Sequence, residues 1–146
     1  MSMDALIETA TLVEHFNRKA EEIPDKLKAL VSEVAFIYQN NIMDEAPVIT
    51  HNLQASTKIE NIDDYTSRVY VDEGTAPYAI YVILGTGPHE IFPKSAGALF
   101  WPGAGHPVPS VLHPGTKPNP YFDRGAEMAK IEADMEVESF IQWLTE

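Results

Sequence analysis

Cysteine is missing altogether, bases are scarce, and no apolar run is long. Without a thiol, a chain of 146 residues can build neither a disulfide framework nor a thiolate metal site. That absence fits a reducing cytoplasm. No apolar stretch approaches the ~20 residues that cross a bilayer. Met1 to Thr11 places no basic cluster ahead of an apolar stretch, so no secretory leader is expected. Lys and Arg together number 10 against 22 Asp and Glu, a formal net charge of -12. Such a surface repels phosphates, which argues against specific nucleic-acid binding. Internal repeats and low-complexity tracts are also absent.

What is present suits one globular domain over 1–146. The hydrophobic fraction of 45% is ordinary for such a domain, and the length allows a core without staples. The N-terminal part, about 9–45, reads as helix. Thr11 and Glu14 have capping-box spacing where Leu12, Val13 and Phe16 begin an apolar pattern. Pro24 predicts a break or kink near Ile23, followed by a new helix. In that second stretch Leu27, Leu30, Val31, Val34, Ala35, Tyr38 and Ile42 form one stripe, which Pro47 ends.

A β-rich segment follows, about 50–118. Leu53, Ala55, Thr57 and Ile59 alternate with polar residues, as do Ser67, Val69 and Val71. With turn chemistry at Asn61-Ile62-Asp63-Asp64 between them, they predict an antiparallel hairpin. Tyr78 to Leu84 is short and apolar, and strand and short helix stay open there. From Gly85 to Pro120 proline and glycine are dense, yet Phe92, Phe100, Trp101, Val108, Val111 and Leu112 run through the stretch. We expect short strands at 91–94 and 98–101 joined at Ser95-Ala96-Gly97, then a long extended excursion. Apolar loops of this length are usually functional or ordered by a partner. Asn119 as N-cap and Pro120 as first residue open a last helix, about 120–144. Its buried side should hold Phe122, Ala126, Ala129, Ala133, Val137, Phe140, Ile141 and Leu144. The acids Asp123, Glu127, Glu132, Asp134, Glu136 and Glu138 read as its solvated face. The expected class is α+β: a small antiparallel sheet against a long N-terminal helix and a C-terminal helix, with a Pro/Gly-rich extended loop.

Several residue patterns invite a chemical reading. His89, His106 and His113, with Glu90, could bind zinc and support a small metal-dependent hydrolase, but their spacing matches no compact motif. Gly85-Thr86-Gly87 lacks the rest of a phosphate loop and reads as a tight turn where glycine supplies positive φ. Ser110 near His113 has no nucleophile elbow around it. No catalytic, cofactor-binding or metal-binding residue is assigned.

The order of parts and several strings resemble a phage tail-component family, typified by gene product ten of phage HK-ninety-seven. The resemblance begins at Ala46-Pro47-Val48-Ile49-Thr50-His51-Asn52-Leu53, where His51 stands in place of the family's usual glycine. It continues through Tyr78-Ala79-Ile80-Tyr81 to Gly85-Thr86, where Leu84 replaces the usual acid. Then come Pro93-Lys94, Ala98-Leu99-Phe100, Val111-Leu112-His113-Pro114-Gly115-Thr116-Lys117-Pro118 and Asn119-Pro120-Tyr121-Phe122. Together these strings cover roughly the last two thirds of the chain.

The resemblance implies a structural role: a minor tail or tail-completion protein of a bacteriophage or prophage, not an enzyme. It would sit in the virion tail, at the head-proximal end or head-tail joint, after assembly in the host cytoplasm. Its partners would be copies of itself in a ring (a hexamer is one size), the tail-tube protein and head-completion or connector proteins. A head-closure or connector adaptor of the same virion is the alternative. Candidate subunit-interface residues are Tyr78, Tyr81, Phe100, Trp101, His106, Val108, Val111, His113 and Trp143. The Pro/Gly-rich excursion would serve as an arm between subunits, and an acidic channel lining would let DNA pass without sticking.

Overall fold

Two helices of unequal length carry the architecture. The computed structural model describes residues 3–48 and 51–146, with side chains described from residue 11 onward. Ile49 and Thr50 of the Ala46–Leu53 string, and the expected start of the β-rich segment at 50, fall outside the described residues. Helix α1 spans Met3–Glu45 and helix α4 spans Tyr121–Thr145. At 1.5 Å per residue they are about 64 and 37 Å long. Between them lie a short helix α2, Asn52–Ala55, the hairpin β1 (Thr57–Asp63) and β2 (Thr66–Val71), a short helix α3 (Ala79–Leu84), and strands β3 (His89–Ile91) and β4 (Val111–His113). The fold is α+β, with a long N-terminal helix, a C-terminal helix and small antiparallel two-stranded sheets.

α1 differs from expectation in two ways. It begins at Met3, so Thr11 and Glu14 lie within the helix and not at its N-terminus. It also runs unbroken through Pro24. The missing N–H of Pro24 leaves the Ala20 carbonyl without its helical donor, but Ala20 is exposed and water can serve it. Packing spans the proline as well. Lys19 before it and Lys26 after it both place their ammonium groups over the Trp143 ring, 5.0 and 4.6 Å from its centroid. Lys19 also donates to the Trp143 carbonyl, supplying the α4 C-terminus with the cation that its own last turn lacks.

The helices run antiparallel. Arg124 at the start of α4 meets Glu45 at the end of α1, Asn41 donates to Glu132 at 2.8 Å, and Trp143 reaches back to Lys19. The two helices come into close backbone contact at Gly125. A Cβ there would lie 2.5 Å from the Ile42 Cα and 2.8 Å from the Asn41 carbonyl oxygen. Tyr121, Gly125, Ala129 and Ala133 therefore form the buried edge of α4, at four-residue steps. Ala129 and Ala133 are buried as expected, whereas Val137 and Ile141 are exposed. The core gathers where four helices meet: Ile42 and Ala46, Leu53, Ala76 and Ala79, and Tyr121, with Tyr38, Val69, Val71 and Phe122 packed around them.

The first hairpin starts later than expected. Leu53 and Ala55 are helical, with Leu53 buried, and β1 begins at Thr57. Four alternating residues cannot by themselves distinguish a strand from one helical turn. The hairpin register runs from Thr57↔Val71 to Asp63↔Thr66, with a shift between Asn61 and Asp63 that moves the turn to Asp64-Tyr65. Gln39 of α1 donates to the Thr57 carbonyl at 2.8 Å and ties the hairpin to the long helix. The open choice at 79–84 resolves as helix α3. Asn119 does not cap α4: Pro120 holds that position, and the Asn119 side chain accepts from Arg124 instead.

Candidate subunit interface

The Pro/Gly-rich segment forms an arm. Strands at 91–94 and 98–101 do not pair with each other as expected. β3 instead pairs with β4, twenty residues downstream, through His89↔His113, Glu90↔Leu112 and Ile91↔Val111. The same register continues to a bridge at Thr86↔Thr116, and a further bridge, Leu99↔Val108, closes the distal part. The extended loop is thus a two-stranded ribbon. Proline density does not prevent it, because a two-stranded ribbon consists only of edge strands, where a missing N–H can face water.

Its base is built by two Gly-Thr pairs. Thr86 and Thr116 exchange backbone hydrogen bonds of 3.0 Å each, and their hydroxyls lie 3.1 Å apart. Gly85 and Gly115 have φ of 71° and 86°. A Cβ on Gly85 would come within 2.5 Å of the Thr116 carbonyl oxygen, and one on Gly115 would strike the Thr86 carbonyl. Glycine is required at both places by conformation and by space. Asn119 N–H donates to the Val82 carbonyl at 3.0 Å, which anchors the base to α3. Beyond it, β3 and β4 make their substantial contacts only with each other.

The candidate interface residues divide between arm and body. Phe100 and Trp101 are exposed at the distal part of the arm, and Phe92 and Leu112 are exposed nearer its base at the β3–β4 ladder, with Phe100 68% and Leu112 72% accessible. His106 is exposed beyond the Leu99↔Val108 bridge, and Val108 is half-buried in that bridge. Val111 and His113 are half-buried in β4. Tyr78 and Tyr81 belong to the body next to the arm's base: Tyr78 caps α3, Tyr81 lies within it, and both are exposed. Trp143 stands apart from all of these, packed with Phe140 and covered by Lys19 and Lys26.

Two of the three loop histidines, His89 and His113, have structural partners. His89 and His113 stack across the ribbon with ring centroids 5.1 Å apart. His89 Nδ1 donates to the Gly87 carbonyl at 3.0 Å, and His113 Nδ1 accepts the Gly115 N–H at 3.0 Å. The two rings therefore use opposite tautomers when neutral. Ser110 donates to Glu90 at 2.6 Å rather than to a histidine. Among the described residues, no three metal-ligating side chains gather at one point.

Sequence reasoning missed a second feature, an open cleft of about 550 Å3 beside the helix pair. Leu30, Val34 and Tyr38 of α1 form its floor, Phe122 and Val137 of α4 one wall, and Tyr65, Thr66, Ser67 and Val69 of the hairpin the other. The α1 stripe signalled an apolar face. That the hairpin and α4 would cover only part of it was not readable.

Among the described residues no helix is long and apolar enough to cross a membrane. No family model, curated protein or solved structure matches this chain.

Proposed function

We propose that this chain is a structural protein of a bacteriophage or prophage, a minor tail or tail-completion component that acts by self-assembly rather than catalysis. It would assemble at the head-proximal tail end or the head-tail joint, first in the host cytoplasm and then in the virion tail. Its partners would be further copies in a ring, the tail-tube protein and head-completion or connector proteins. The observation that carries the reading is the arm. It holds Phe92, Phe100, Trp101 and Leu112 in solvent while packing chiefly on itself, which suits a surface completed by a neighbour.

Two local features support the resemblance on which the reading rests. The Gly85-Thr86 and Gly115-Thr116 strings are far apart in sequence and adjacent in space, and each glycine leaves room for the other strand's backbone. His51, at the position where the family carries glycine, has φ of 59°, a conformation that glycine adopts more readily.

The test is inactivation of the gene in its source phage or prophage, followed by negative-stain imaging of the particles. Filled heads separated from tails, or tails of uncontrolled length, are expected. Intact, infectious particles with normal tails would overturn the reading.

A further inference from the structure

We propose that the arm of one copy seats in the cleft of the next copy, so that the interface is head-to-tail. This deepens the assembly reading and rests on the same arm.

Both halves of such a contact are on one chain. The cleft between α1, α4 and the first hairpin is lined by Leu30, Val34, Tyr38, Val69, Phe122 and Val137, and no arm residue of its own chain lines it. The arm leaves Phe92, Phe100 and Trp101 exposed to water, Trp101 the least of the three. Aromatic side chains of this kind are the usual anchors of protein interfaces and fill apolar pockets.

Charge selects the occupant. On α4 each residue lining the cleft is followed by an acid: Phe122 by Asp123, Ala126 by Glu127 and Val137 by Glu138. None of these three acids has an ion-pair partner among the described residues. The α4 side of the rim is thus acidic, while on the hairpin side Arg68, between lining Ser67 and Val69, is paired with Glu60; such a rim disfavours nucleic acid, anionic lipid and an acidic peptide. The chain carries a net charge of -12, yet over 85–120 Lys94 and Lys117 stand against Glu90 alone. The arm is thus the one long segment of this acidic protein whose charge matches the rim. An arm and a cleft at different places on one subunit make a heterologous contact, which propagates from copy to copy and forms a ring where its rotation closes.

The absence of native cysteine makes the test direct. Gly105→Cys places a thiol at the distal arm, where a Cβ meets nothing within 4 Å. Ser67→Cys places one in the cleft wall with little change of size. The two full-length single variants are purified, mixed and oxidised. A mixed disulfide-linked dimer is expected, together with a ladder of linked species from the double variant. Adding Trp101→Ala should lower the mixed yield about tenfold, as for an anchor contributing ~1.4 kcal/mol, with the melting temperature unchanged. Raised salt should lower the yield too, because the rim contact is electrostatic.

Absence of the mixed product would overturn the proposal, and so would Gly105→Cys dimers forming as readily as mixed ones, which would indicate an arm-to-arm contact. Either result leaves the particle imaging free to support the tail assignment. Cross-linking together with normal particles would instead sink the tail assignment and keep the contact.

Discussion

The helix pair and the arm both depend on glycine, but to opposite ends. At Gly125 the missing side chain draws two helices together, because α4 can then rest its backbone on that of α1 at Ile42. At Gly85 and Gly115 it lets two strands cross, and the chain beyond them leaves the body. The first arrangement buries surface within the subunit. The second spends little surface inside and presents aromatic residues outside. Stability should therefore reside in the body, and on the proposed contact the arm and a neighbouring copy's cleft would carry assembly.

The sharpest break of that comparison is Gly125→Ala. Its Cβ would meet backbone atoms, which cannot rotate away, so the helices must separate. Overpacking of this kind costs about 3 kcal/mol, and the better helix propensity of alanine returns only ~1 kcal/mol. Urea unfolding should show a net loss of about 2 kcal/mol for the whole protein. A loss below ~0.5 kcal/mol would mean that the helices are not in such close contact.

Gly115→Ala should act on the arm alone. A side chain at φ of 86° costs about 1–2 kcal/mol even before the clash with Thr86. Hydrogen exchange at the paired amides of Thr86 and Thr116 should accelerate by at least tenfold, while the global unfolding midpoint stays near its original value. A cooperative loss of the whole fold would show that arm and body are one unit.

Tyr121 offers a smaller and opposite effect. It is fully buried, and its hydroxyl has no hydrogen-bond partner among the described residues. Burial accordingly pushes its phenol pKa up. Tyr121→Phe removes an unsatisfied polar atom and keeps the packed ring, so the protein should be unchanged or stabilised by about 1 kcal/mol. A clear destabilisation would reveal a partner for the hydroxyl.

The smallest effect concerns the turn between β2 and α3. Thr75 hydroxyl and Gly74 N–H donate to Asp72, and these bonds hold its carboxyl below the ordinary value of 3.8. Because the folded value is the lower one, the stabilisation is full above about pH 3.8 and fades as pH falls through the folded value. Asp72→Asn should therefore differ from the parent in melting temperature near neutrality and converge with it in strong acid. A difference that persists unchanged in strong acid would assign the effect to something other than the carboxylate.

Much of the body was legible in the residue order. The stripe from Leu27 to Ile42 has helical period, Gly85 ends the apolar run before it, and Ala129 and Ala133 lie on the predicted inner side of α4. Each of these follows from properties of a few consecutive residues: side-chain spacing, backbone freedom, a missing donor. The α+β class follows from the same patterns.

Tertiary structure alone decided the rest. Pro24 reads as a break, but Trp143 lies more than a hundred residues away and bridges the turns on both sides of it. Leu53 and Ala55 alternate like a strand, yet the core needs Leu53 on a helical turn. β3 chooses β4 over the nearer segment because the two Gly-Thr pairs fix the register from the base. The cleft exists only because α4 and the hairpin approach α1 from different sides and stop short of each other. Local sequence determines what each segment can form. Which distant segment completes it depends on the meeting of surfaces, and no short window of residues contains both sides of that contact.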